Sequence, residues 1–267
     1  MHYLYNLIHS CFMPFIVEPA ASLIPEQINN PFYVNTPELS KQAAAQLQEL
    51  IAQNQAKWLH NFGTDKEKQG IAKGKMFGVL VVKNKEGKLG YLCTFSGKIA
   101  DEPHPQVFVP SLFDVAINNN FISKGMVELT AIGTKIKTLE EETGANNLHE
   151  IKGLKEERKA KSALLQQQLF ENYNFLNAKG ELKNVCTIFE ATPNKIPPSG
   201  AGECAAPKLL HYAFKHQMQP LAIAEFWWGK PSNSGDKQHA EFYPACEDKC
   251  RPILEYMLGD RLEIGKL

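Results

Sequence analysis

Three of the six cysteines in this 267-residue chain fall in its last quarter, in two stretches that each read as the start of a helix. Gly202-Glu203-Cys204-Ala205-Ala206-Pro207-Lys208 is the first, and Tyr243-Pro244-Ala245-Cys246-Glu247-Asp248-Lys249-Cys250 is the second. A thiolate at a helix N-terminus is stabilised by unpaired backbone N–H groups and by the positive end of the helix dipole, which makes it a good metal ligand and, less often, a nucleophile. Cys246 and Cys250 are four positions apart, so on a helix they share one face. With Cys204 beside them and His239 from the intervening loop as fourth donor, the set is a Cys3His site and the expected cofactor is zinc. That demand constrains the fold, because two helix starts have to meet at one end of the structure. The competing reading treats the cysteines as small buried apolar side chains, which is common for free cysteine.

The other cysteines, Cys11, Cys93 and Cys186, are too scattered for a disulfide-stapled scaffold, so all are read as reduced. Lys+Arg and Asp+Glu balance at 29 each, which excludes nucleic-acid binding driven by the field of the whole molecule and leaves only local patches. The apolar run Tyr3 to Val17 is broken by Asn6, His9, Ser10 and Pro14 and has no Lys or Arg ahead of it, which argues against a secretory signal. No segment reaches the roughly 18 to 20 apolar residues that a membrane helix needs. The expected location is the cytoplasm.

Thr36-Pro37-Glu38-Leu39 reads as a helix start, with Thr36 as N-cap and Leu39, Ala43, Leu47, Leu50 and Ile51 on one face, the helix running to about Leu59. Met76 to Val82 and Leu89 to Phe95 flank the turn Asn84-Lys85-Glu86-Gly87 and predict a β-hairpin. From Lys124 to about Phe175 the texture is Lys, Glu, Gln, Leu and Ala, interrupted at Gly144-Ala145-Asn146-Asn147, which fits two antiparallel helices. The charged run Lys152 to Lys161 interleaves acids and bases and reads as a solvated helix face. Val185 to Phe189 reads as a strand, Pro207 to Lys215 as a helix, Leu221 to Trp228 as a strand and Cys250 to Leu258 as a helix. The expected fold class is therefore α/β, a mixed sheet core with packed helices and an inserted antiparallel helical hairpin. The expected organisation is an N-terminal part of the core (1–115), the hairpin insertion (116–180) and a C-terminal part of the core carrying the cysteines (181–267).

The loop Pro198-Ser199-Gly200-Ala201-Gly202 before a helix could cradle a phosphate on Gly200 and Gly202, with Lys208 in the first turn, although it lacks the Gly-Lys-Ser/Thr of a nucleotide loop. Short glycine-rich turns before helices are usually only turns. The strand Ala224-Glu225-Phe226-Trp227-Trp228 alternates Glu225 and Trp227 against Ala224, Phe226 and Trp228; core packing is the default for the tryptophans, base stacking the sharper alternative.

The order hairpin, helix, strand, helix, with a cysteine opening each of the two helices, resembles the zinc nucleoside and base deaminases. Two departures stand out. Ala206 occupies the position two after Cys204 where those enzymes place a proton-carrying glutamate, and the second motif is Pro-Ala-Cys-x3-Cys. Losing that carboxylate forfeits on the order of 10²- to 10⁴-fold in rate, so activity requires a substitute, for which Glu203 and Glu225 are the candidates. His239-Ala240-Glu241 spells a His-x-Glu motif but lies too close to Pro244 for a helix and strand to intervene.

A wider resemblance rests on Gly74 to Val82, Phe95-Ser96-Gly97-Lys98, Pro198 to Leu210, Ala224 to Gly229 and Phe242-Tyr243-Pro244-Ala245-Cys246. Together these stretches resemble the long N-terminal region of two-part RluA-family RNA pseudouridine synthases. The resemblance implies a partnership with RNA, ribosomal or transfer, or with an RluA-type catalytic domain. The Arg-Leu-Asp motif of that domain has only a distant echo here, Arg261-Leu262-Glu263, so pseudouridine synthase is a family label and no isomerase activity is expected of this chain alone. The expected function is an RNA-placing module of RNA modification. The alternatives are a zinc-dependent, deaminase-like enzyme on a nucleobase or nucleoside, and a protein-interaction module or oligomer working through the helical hairpin.

Overall fold

The computed structural model describes residues 11–33, 35–97, 99, 106–112, 120–142 and 147–262. The start of the apolar run at Tyr3, the interruption Gly144 to Asn146, Lys98 and Glu263 lie outside the described residues. The strands are β1 (Met13–Pro14), β2 (Lys75–Lys83), β3 (Leu89–Phe95), β4 (Asn174–Leu176), β5 (Leu182–Asn184), β6 (Gln219–Trp228) and β7 (Phe242–Tyr243). The helices are α1 (Glu38–Asn54), α2 (Asn120–Glu141), α3 (Leu148–Glu171), α4 (Val185–Phe189), α5 (Ala205–Lys215) and α6 (Glu247–Leu258).

One antiparallel sheet runs in the order β1-β3-β2-β6-β7, and β4 and β5 form a separate two-stranded ribbon. The expected hairpin is present. The Asn84 side-chain carbonyl accepts the N–H groups of Glu86 and Lys88, and Gly87 takes the positive φ of 75° that the turn requires. β2 then pairs along its other edge with β6, Phe77 opposite Phe226 and Gly78 opposite Glu225, so the hairpin and the late strand lie in one sheet.

Alternation along β2 assigns the two faces. Phe77, Val79 and Val81 pack with Leu39, Ala43, Leu47 and Ile51 of α1, while Leu80 and Val82 pack with Leu209, Leu210 and Ala213 of α5 and Ile253, Leu254 and Met257 of α6. Helices thus cover both faces, which is why β2 reads as an unbroken apolar run. Each fully buried side chain of this size contributes roughly 1.5–3 kcal/mol before the entropy of ordering it. At Gly78 the packing leaves no room for a side chain, since a Cβ there would lie 2.7 Å from the Ala205 Cβ. That glycine lets the start of α5 sit directly on the sheet.

α2 and α3 pack on each other, with Ile122, Leu129 and Ile136 buried and Lys161–Glu128, Lys135–Glu150 and Lys155–Glu140 joined across them, each at 2.8 Å. The numbering of these pairs makes the helices antiparallel, and their exposure to solvent makes each pair weak. No described helix is long and apolar enough to cross a membrane.

Several local expectations are corrected. Val185 to Phe189 is a short helix, because the Asn184 side chain accepts the Cys186 N–H and caps it, outweighing the strand preference of its residues. α1 ends at Asn54, five residues short of Leu59, and passes into a 3₁₀ turn. α5 and α6 begin earlier than expected, at Ala205 and Glu247, which makes Cys204 and Cys246 their N-caps.

Candidate metal centre

α5 and α6 start side by side, and this brings the sulfurs together. Cys204 Sγ lies 3.7 Å from Cys246 Sγ, Cys246 Sγ lies 3.1 Å from Cys250 Sγ, and all three fall within 4.8 Å of one another. The edge of a tetrahedron of thiolates around zinc, with Zn–S near 2.3 Å, is about 3.8 Å. None of the three is in a disulfide. Cys250 is fully enclosed, Cys204 half-buried and Cys246 exposed, so the cluster opens to solvent on one side. Three converging soft donors with an open side fit zinc, and the cysteines could hold a metal ion.

The sulfurs share charge unevenly. Hydrogen bonding with Cys204, then Cys250, pulls the Cys246 thiol far below its ordinary value, helped by the Lys249 and Cys250 N–H groups. The contact with Cys246 pushes Cys204 up, and those with Cys204 and then Cys246 push Cys250 up. Binding a metal would require the remaining protons to leave.

His239 does not join the cluster, which corrects the Cys3His expectation. Its Nδ1 accepts the Gly229 N–H at 2.9 Å, and its ring stands edge-on to Trp228 with centroids 4.4 Å apart. The loop after β6 folds back on the strand, Ala240 N–H donating to the Trp227 carbonyl at 2.7 Å, and carries His239 with it.

Glu225 lies beside the cluster on the face of β6 that α5 covers. It is 7% exposed and its carboxylate accepts the backbone N–H of Ala206 at 2.9 Å. Burial pushes its carboxyl up to about 7, against the lowering effect of that hydrogen bond. Glu203, the other candidate, is tied down: its carboxylate accepts the Tyr173 hydroxyl and its carbonyl accepts the Gly97 N–H. Tyr173 carried no sequence signal for this role.

Two amides of the loop before α5 are used within the loop itself. Ala201 N–H donates to Pro198 and Glu203 N–H to Gly200, and Gly202 holds a φ of 88° with a Cβ position only 2.8 Å from the Tyr173 ring. Lys208 does not face solvent, being 1% exposed with its ammonium on the Phe95 carbonyl. Gly202 thus serves the packing of the turn on Tyr173, and the Lys208 ammonium is engaged by Phe95.

Asn29 went unnoticed in the sequence. Its side-chain amide donates to the Ile223 carbonyl at 3.1 Å and accepts the Ile223 N–H at 2.8 Å, covering the edge of β6 where β7 does not reach. The same N-terminal segment is pinned where Ala245 N–H donates to the Pro31 carbonyl and where Arg251 lies 4.1 Å over the Phe32 ring. Under it, Asn29, Tyr33, Ala206, Glu225 and Tyr243 line a cavity of about 10 Å³, room for a single water.

No family model, no curated protein and no solved structure matches this chain.

Proposed function

We propose that this chain holds zinc on Cys204, Cys246 and Cys250 and uses Glu225 to move protons in the hydrolytic removal of an amino group from a nucleobase, as part of RNA modification. The observation that carries this reading is the position of Glu225. Ala206 leaves the start of α5 without a carboxylate, and the Glu225 carboxylate, borne by β6, sits on the Ala206 N–H instead. The order of β2, β3, α5, β6 and α6, which resembles that of the deaminases, and the open side of the cluster support it.

Zinc held there supplies Lewis acidity and makes water nucleophilic near neutral pH. Glu225, with its carboxyl near 7, is poised both to accept a proton from the attacking water and to give one to the departing ammonia. Ala206 N–H fixes the carboxylate, and the segment around Asn29 limits how much water reaches it. The test is ammonia release by zinc-loaded protein from cytosine- and adenine-containing nucleosides and RNA, beside Glu225→Gln. The variant should keep its zinc and lose about 10²- to 10⁴-fold in rate; equal rates, or a wild-type protein that takes up no zinc, would overturn the proposal.

A second reading, RNA placing without chemistry, is favoured by the surface next to the site. Half-exposed Trp227 lies two residues beyond Glu225 on the same face, and Lys237 stands 4.4 Å over the ring of Tyr243, an arrangement suited to stacked bases and phosphates. Salt-dependent RNA retention with no ammonia release would select it.

A further inference from the structure

Lys208 is the one lysine among the described residues that the fold encloses. Its ammonium donates to the Phe95 carbonyl at 2.5 Å and lies 5.4 Å from the centre of the Phe95 ring, and it has no ion pair. An enclosed ammonium with one carbonyl for company is expensive, and folds keep such a charge where opposite charge compensates it. The groups within electrostatic reach are Glu203, Cys204 and Glu225. Cys204 precedes Lys208 by one helical turn, on the same side of α5. Glu203, which accepts the Tyr173 hydroxyl, keeps its charge and acts on Lys208 most strongly, while Cys204 and Glu225 are the two whose charge changes when the centre fills.

The balance of charge at the centre changes when it fills. Three thiolates around a divalent ion leave one excess negative charge, and an ionised Glu225 adds another. Cys250 and Glu225 sit where water is largely excluded, and there a fixed cation acts strongly. A lysine aimed at solvent phosphate would not be enclosed in this way, and an anchor for the Phe95 carbonyl would need a hydrogen bond but no charge.

We propose that Lys208 is the internal counter-charge of the three-thiolate centre, strengthening metal loading by balancing the excess negative charge while touching neither metal nor substrate. This rests on the metal-centre reading above. The two make different demands on the same experiment, which is zinc affinity by chelator competition and thermal melting with and without zinc, for wild type, Lys208→Met and Lys208→Arg. Lys208→Met should bind zinc about 10- to 100-fold more weakly, while its zinc-free form melts no lower than wild type because a neutral chain of similar size replaces a charge held out of water. Lys208→Arg, which keeps the charge, should recover most of the affinity. Wild type that binds zinc together with a Lys208→Met variant that binds it equally well would overturn this inference alone. A zinc-free Lys208→Met protein that melts lower, with an unchanged gain on adding zinc, would also overturn it, and would make Lys208 a structural anchor. Wild type that binds no zinc would remove the metal-centre reading and this inference with it.

Discussion

Glu225 reaches from β6 to the amide of Ala206, 2.9 Å away, so that a strand supplies the carboxylate that the helix start lacks. The geometry depends on Gly78, which lies opposite Glu225 in the sheet and lets α5 approach. Moving the glutamate by one residue along β6 would send the carboxylate to the α1 face.

The sulfur cluster gives the most direct expectation. Purified protein should carry about one zinc per chain after desalting, and Cys204→Ser, Cys246→Ser and Cys250→Ser should each lose most of it. Cys186→Ser and His239→Ala should not, because Cys186 lies outside the cluster and His239 is engaged with Gly229 and Trp228. Metal analysis of the five variants checks this; loss of zinc in His239→Ala would restore the histidine as a ligand.

Gly78→Ala should destabilise by about 1 to 3 kcal/mol, since the new Cβ would lie 2.7 Å from the Ala205 Cβ. The strain falls on the start of α5, so zinc affinity should weaken as well. Urea unfolding and chelator competition read the two effects, and an unchanged pair of values would show that α5 can shift freely.

Asn29→Ala should cost about 1 to 3 kcal/mol, because it strips both partners from the Ile223 backbone, whose residue is 3% exposed. Asn29→Asp should recover only the bond from the Ile223 N–H. Urea midpoints for the two variants that fall in the reverse order would contradict this account of the β6 edge.

The zinc-free protein should show two opposed pH dependences. Burial raises the Glu225 carboxyl from 4.5 to about 7, so its contribution to stability is complete below pH 4.5 and is lost as the pH climbs to about 7. Burial lowers His211, whose Nδ1 accepts the Leu176 N–H, from 6.5 to about 4, so its contribution is complete above pH 6.5 and is lost as the pH falls to about 4. Between these limits the slopes offset each other. In Glu225→Gln the histidine is unopposed, joined by His60 and His216, which burial also lowers, and urea midpoints should drop steadily with acid through that interval; a curve parallel to wild type would refute the assignment.

The parts of the fold that sequence made legible are those with a strong local signal. The hairpin of β2 and β3 follows from alternation and from Asn84 and Gly87 in its turn, and Cys204 and Cys246 mark the starts of α5 and α6. The short helix at Val185 was not legible, because Asn184 outweighs a run of strand formers. Strand parity separated Glu225 from Ala224 but could not show which helix amide the carboxylate would meet, since that depends on the contact between Gly78 and Ala205. His239 looked available as a ligand only because the return of its loop onto Trp227 leaves no mark in the sequence. Lys208 reads as a candidate phosphate contact because it lies in the first turn of a helix after a glycine-rich loop; its burial against Phe95, far away in the chain, leaves no mark in the sequence.

The pairing of β2 with β6 joins Lys75 to Trp228, across the whole of α2 and α3. Lengthening the loop between two partners costs little in final stability but delays their meeting. During synthesis the β2–β3 hairpin is complete long before β6 leaves the ribosome, so the apolar edge from Phe77 to Val82 waits unpaired. Such an edge is a template for other chains. The strand that ends at the centre of the finished sheet is therefore open to misassembly while the protein is being made, and recovery of folded protein on refolding should fall with concentration more steeply than for a sheet built from neighbouring strands.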